Sequence, residues 1–223
     1  MGKDNLFHKR KARKKEQLAR RGKQRDPYAK VLIACEGKKT EPLYFEDIKD
    51  YFALNSVNVK VSGECGSDPV SVFKHGKQLY REEREKGDSF DKVYCVFDQD
   101  AHASYIQAIK DINNARPNNT FIAINSVPCF EYWLLLHFQY TTKPFKALPN
   151  NSACNQVLTQ LKSHIPDYTK GKCGIFAATC EQLNSAKERA TKALRTAQES
   201  DTDNPTTHVH ELVSYLQDIK KPL

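Results

Sequence analysis

From residue 30 onward, short runs of β-branched and other apolar residues alternate with segments whose apolar positions recur every three or four residues, the pattern of an α/β layer fold. Residues 30–35 predict a buried strand. Residues 40–52 predict a helix, with Leu43, Tyr44 and Ile48 on its inner face and Pro42 in the first turn, where a missing N–H costs little. Residues 57–63 alternate Val57, Val59 and Val61 as a second strand. Asp68 and Pro69 cap and open the next helix, whose stripe of Val70, Phe73, Leu79 and Tyr80 runs to a break at Gly87 and Asp88. A strand over 91–97, a helix over 105–115, a strand over 120–125 and a short apolar helix over 129–138 complete the series.

Such an order of βα units predicts a Rossmann-like, mostly parallel sheet flanked by helices, with strand C-termini and the loops that follow them gathered on one edge. Beyond Gln139 the chain becomes more polar. Loops are expected over 141–151 and in the Gly/Lys-rich stretch 168–174, and helices over 182–199 and 207–220, the second with Val209, Leu212, Val213 and Leu216 on one side. The expected organisation is a basic arm (1–29), an α/β core (30–140) and a mainly helical elaboration packed on the core (141–223).

Charge changes this picture in one place. The first 30 residues hold twelve Lys or Arg and three acids, so the net charge of +8 belongs to the arm and the remainder sums to −1. Lys9, Arg10, Arg13, Lys14, Lys15, Arg20 and Arg21 form a segment suited to neutralising phosphates, which makes nucleic acid its expected partner. The seven cysteines are odd in number and form no CxxC pair, so reduced thiols are expected. With no targeting segment and no apolar run near the length of a membrane span, the protein is expected to be cytoplasmic, without a membrane role.

Two segments carry candidate chemistry. Glu36-Gly37 follows the first strand and places a carboxylate at the open sheet edge, where backbone can approach a phosphate closely. Asp98 and Asp100 leave a later hydrophobic strand two residues apart, an all-oxygen donor pair suited to Mg²⁺ or Mn²⁺. Three carboxylates at one edge repel unless a cation sits among them. Lys38, Lys39, His102, Lys170 and Lys172 are the available cations for a phosphate. His102 also stands as a candidate base, and Lys170 and Lys172 sit in what reads as a flexible basic loop, TKGK. His208 and His210, two apart on a predicted helix, point to different faces.

A Glu-Gly after the first strand and an Asp-x-Asp after a later one resemble the Toprim module of topoisomerases, bacterial primases and nucleases. EGKKTEPLYF, VFDQD, SVPCFEYWLLLHF and NPTTHVHELV, in that order, resemble the RloB-like family associated with prokaryotic restriction and abortive-infection loci. That resemblance implies Glu36 as general base or metal-coordinating glutamate and Asp98 and Asp100 as metal ligands. Glu131 falls where it can reach the same edge or complement a helix dipole. The resemblance further implies a Mg²⁺- or Mn²⁺-dependent nuclease acting on RNA, transfer RNA included, or DNA. Its setting would be an antiphage abortive-infection system with an ABC/AAA-type ATPase partner. The alternative is a non-catalytic module that binds nucleic acid or a partner in a defence complex.

Overall fold

The computed structural model describes residues 29–219 apart from 56, 57, 67 and 101, so the basic residues expected to bind nucleic acid between Lys9 and Arg21 lie outside the described residues. The elements run β1 (Val31–Cys35), α1 (Thr40–Tyr51), β2 (Val59–Ser62), α2 (Pro69–Glu85), β3 (Lys92–Asp98), α3 (Tyr105–Asn113), β4 (Phe121–Val127) and α4 (Glu131–Leu135). After these come α5 (Ala153–Lys162), α6 (Ile175–Thr179), a 3₁₀ turn (Cys180–Gln182), α7 (Leu183–Glu199), β5 (Thr206–Thr207) and α8 (Val209–Asp218). The sheet order is β2-β1-β3-β4-β5, parallel except for the last pair.

β1 is VLIAC, buried at every position, because helices cover both faces of the sheet. Val31, Ile33 and Cys35 face one core together with Tyr94 and Val96, while Leu32 and Ala34 face the other with Val93, Cys95 and Phe97. This period of two is what the pleat dictates. On the first face Trp133 is fully buried and donates its indole N–H to the Tyr44 hydroxyl at 2.7 Å. On the second, α2 and α3 cover the strands, and Gly76 of α2 comes so close that a Cβ there would stand 3.2 Å from Val93.

The start of α2 is as expected: the Asp68 carboxylate accepts the Ser71 N–H at 3.1 Å and Pro69 occupies the first helical position. The C-terminal part differs from expectation in three ways. Residues 206 and 207 form a short strand, antiparallel to Ser126 and Val127, and the last helix starts at Val209. Two β-branched threonines facing an open end of β4 gain ladder hydrogen bonds there, and Thr207 adds a hydroxyl contact to Ser126 at 3.0 Å. A helix over Ala153–Lys162 stands where only polar chain was read; the Ser152 hydroxyl caps it at the Asn155 N–H, and Cys154, Val157 and Leu161 form its buried stripe. The 168–174 stretch, expected as a flexible basic loop, is tied down. Tyr168 is buried, the Gly171 N–H donates to Thr40 Oγ1 at 3.1 Å and the Gly174 N–H to Asp47 Oδ2 at 2.8 Å. None of the helices among the described residues is long and apolar enough to cross a membrane.

Candidate functional site

β1 is connected leftward to β2 and its other neighbour β3 continues rightward to β4, so the order in which strands are added to the sheet reverses between β1 and β3. In open α/β sheets such a switch point leaves a crevice beyond the strand C-termini, because the two crossover connections depart to opposite sides. Glu36 follows β1 directly and Asp98 ends β3, so these two carboxylates flank that crevice.

The Glu36 carboxylate is held from both ends. Its Oε2 accepts the backbone N–H of Asp98 at 3.1 Å, and its Oε1 lies 3.4 Å from His102 Nε2. The loop behind it folds against the end of β2, where the Gly37 N–H donates to the Gly66 carbonyl at 3.0 Å. Gly63 makes this possible: a Cβ at that position would stand 2.5 Å from both the Gly37 carbonyl and Pro42 Cγ. Burial, followed by the negative charge of Asp100 and Asp68, raises the Glu36 pKa even though the Asp98 amide and His102 pull it down.

Asp98 is the most strongly perturbed acid of the group. Burial first, then the charges of Glu41, Glu131 and Glu36, push its pKa well above the usual carboxylate range, against a hydrogen bond from the Phe130 amide. Asp100 is exposed at a φ of 35°, with its N–H on the Pro128 carbonyl at 3.1 Å and Oδ1 3.6 Å from Cys154 Sγ. Beside the pair, Asp68 of the α2 cap accepts the Ser104 hydroxyl.

Glu41, in the first turn of α1, joins the cluster although its sequence position gave no sign of it. Burial, with Glu131 and Glu36 nearby, raises its pKa to about 8. Glu131, at the start of α4, is 1% exposed: Oε1 accepts the Tyr168 hydroxyl at 3.2 Å, while Oε2 makes no hydrogen bond and lies 3.5 Å from Lys170 Nζ. Burial opposes the Lys170 charge, but the summed pull of Glu131 and Asp98 outweighs it and the ammonium pKa rises. Lys38 and Lys39 are exposed on the loop after Glu36. Lys172 is engaged in an ion pair with Asp167.

The structure therefore brings Glu36, Asp98 and His102 into contact, sets Asp100 close enough to act on Glu36, and adds Glu41, Glu131 and Lys170 along the α1 side. Among the described residues, no three His, Cys, Asp or Glu side chains converge on one point tightly enough to hold an ion as they stand. The donor set nevertheless fits a hard divalent cation. It is made of carboxylate oxygens, it holds a buried oxygen on Glu131 without a hydrogen bond, and Glu41 and Asp98 are driven toward protonation by burial first and then by the neighbouring acids.

Compared with known proteins, the chain matches the model of a family described as RloB-like protein over residues 31–216, a span that holds every carboxylate of this cluster. No curated protein and no solved structure matches it.

Proposed function

The chain belongs to the RloB-like protein family, and on that footing we propose that it is a Mg²⁺- or Mn²⁺-dependent phosphodiesterase that cuts nucleic acid. The observation that carries this reading is the set of four carboxylates, Glu36, Glu41, Asp98 and Glu131, placed at one switch-point crevice with three of their pKa values raised by burial and mutual repulsion. Glu36, Asp98 and Asp100 would hold the ion. Bound there, it would polarise a phosphoryl oxygen and offset the charge that develops as the phosphodiester opens.

The remaining work falls to side chains. Glu36, fixed by the Asp98 amide and facing His102, is the group we assign to take a proton from an attacking water. Lys170, drawn to the crevice by Glu131, and the exposed Lys38 and Lys39 are the cations available to a non-bridging phosphate oxygen. The defence setting and the ABC/AAA-type ATPase partner that the family resemblance implies belong to the same proposal.

Two measurements on wild type and Asp98→Ala test it. Mn²⁺ titration by calorimetry reads the ion without turnover, and incubation with total RNA and plasmid DNA, in Mn²⁺ or chelator, reads cleavage. We expect Mn²⁺ binding and metal-dependent cleavage in the wild type, and a loss of cleavage of at least about a hundredfold in the variant. A wild type that binds no Mn²⁺ would leave only a nucleic-acid- or partner-binding module.

A further inference from the structure

Four cations of α2, Lys74, Lys77, Arg81 and Arg84, follow one another at intervals of three, four and three residues, the spacing of a single stripe along a helix. The stripe lines a groove of about 650 Å³ between α2 and α3, and Arg116, just beyond α3, faces it from the other wall. None of these five side chains has an ion-pair partner among the described residues, and Asp111 is the single acid in the groove. Of the three acids of α2, Glu83 is engaged by Lys30 and Lys86, Glu82 accepts from Gln78, and Glu85, four residues after Arg81 at the end of the stripe, does not line the groove.

This segregation is costly without a partner. Five like charges beside one another repel, and residues 31–223 as a whole carry a net charge of only −1, so the stripe is a local feature and not a general excess of lysine. The floor is apolar, made by Phe73, Tyr80 and Phe121 in edge-to-face contact, with the Lys77 ammonium 5.5 Å from the Phe73 ring. A low-dielectric floor strengthens the field that the cations present to an anion above it.

We infer that this groove is a track for the sugar-phosphate backbone of a single nucleic-acid strand, a second contact surface that extends along α2 away from the crevice to the start of β4; the inference rests on the nuclease reading for its choice of polyanion. Successive stripe residues rise about 4.5–6 Å along the helix axis. Their long, flexible side chains can therefore each meet a different phosphate of a strand whose charges repeat at every nucleotide. Asp68, the N-cap of α2, contacts Ser104 beside the crevice, so a strand lying along the stripe leads from the far end of the sheet toward the catalytic edge. The contacts are to phosphate and carry no base specificity.

The test uses the full chain in chelator, with the arm present throughout, and reads binding of a fluorescent 20-nucleotide single strand as a function of salt. Lys74→Gln, Lys77→Gln, Arg81→Gln and Arg84→Gln are combined in one variant. Lys60→Gln, Lys143→Gln, Lys146→Gln and Lys162→Gln, exposed positions outside the groove, form a control of equal charge. The stripe variant should bind at least about tenfold more weakly and lose about 3 from the slope of log K against log salt, since each single-strand phosphate contact contributes about 0.7. Arg116→Gln alone should lose about 0.7. A stripe variant that matches the control overturns the inference, as does an equal loss of polyglutamate binding, which would mark a site for acidic protein. Because binding is read without turnover, a wild type that never cleaves sinks the nuclease reading and leaves this result standing.

Discussion

The backbone N–H of Asp98 donates to the Glu36 carboxylate at 3.1 Å, joining the ends of two strands whose connections depart in opposite directions. The bond fixes Glu36 by main chain and not by a second side chain, so its position survives changes to the Asp98 carboxyl group. Asp98→Asn should therefore retain the fold and Glu36 geometry while weakening Mn²⁺ binding, and a melting temperature within a few degrees of wild type beside lost ion binding is the expected pair of results.

Glu41 sets a pH dependence. Its pKa is raised to about 8 in the folded chain, against 4.5 for the free side chain. Below pH 4.5 both states are protonated and nothing is lost; as pH rises toward 8 the unfolded state releases its proton while the folded state holds it, so metal-free stability falls. Glu41→Gln should stabilise the chelated protein at pH 7.5 by roughly 2 kcal/mol, discounted for the partial exposure of the group. The same substitution should weaken Mn²⁺ binding. Denaturant unfolding with and without Mn²⁺ measures both, and identical curves for wild type and variant in chelator would count against the raised Glu41 pKa.

His137 acts at the acid end. It is 1% exposed, its Nδ1 donates to the Trp133 carbonyl at 3.1 Å, and Nε2 has no partner. Burial lowers its pKa to about 4 from 6.5. Its contribution is complete above pH 6.5 and disappears as pH falls from there to about 4, where the unfolded chain takes up the proton first. The loss amounts to ~3 kcal/mol. His137→Phe should flatten this limb of a stability-against-pH curve.

Gly63→Ala tests the loop that carries Glu36. The added Cβ meets the Gly37 carbonyl and Pro42 Cγ, each 2.5 Å away, and neither neighbour is the free end of a flexible side chain. A destabilisation of about 1–3 kcal/mol is expected. Mn²⁺ affinity should fall with it, because the displaced segment is the one that positions the carboxylate.

Lys170 and Glu131 should be coupled. Lys170→Met removes the cation facing an oxygen without a hydrogen bond, whereas on a Glu131→Gln background no buried charge remains to be stranded. A double-mutant cycle should give about 1 kcal/mol of interaction, kept small because half of the lysine side chain is exposed. A value of zero would separate Lys170 from the crevice.

Glu36, Asp98 and Asp100 were legible because each stands next to a hydrophobic run that can only be a buried strand, and strand ends gather at one edge. Glu41 was not. It sits inside a helix whose apolar spacing says nothing of its polar face, and its companions Glu131 and Tyr168 are distant in sequence. Residues 153–162 were missed for a related reason: only Cys154, Val157 and Leu161 mark the buried face, and the polar residues between them gave the stretch no assignable element. Thr206 and Thr207 read as a helix start because their strand partner lies 80 residues earlier in β4.

The tie from Gly171 to Thr40, and from Gly174 to Asp47, has an architectural outcome. The stretch bearing Tyr168 and Lys170 is a wall of the acidic crevice, lent by the distal half of the polypeptide to the proximal half. A truncation after residue 140 would keep every strand that carries Glu36 and Asp98 yet uncover Glu131 to water. The acidic site is thus defined by enclosure as much as by its carboxylates, and grafting the sheet alone onto another scaffold would transfer the carboxylates without the environment that perturbs them.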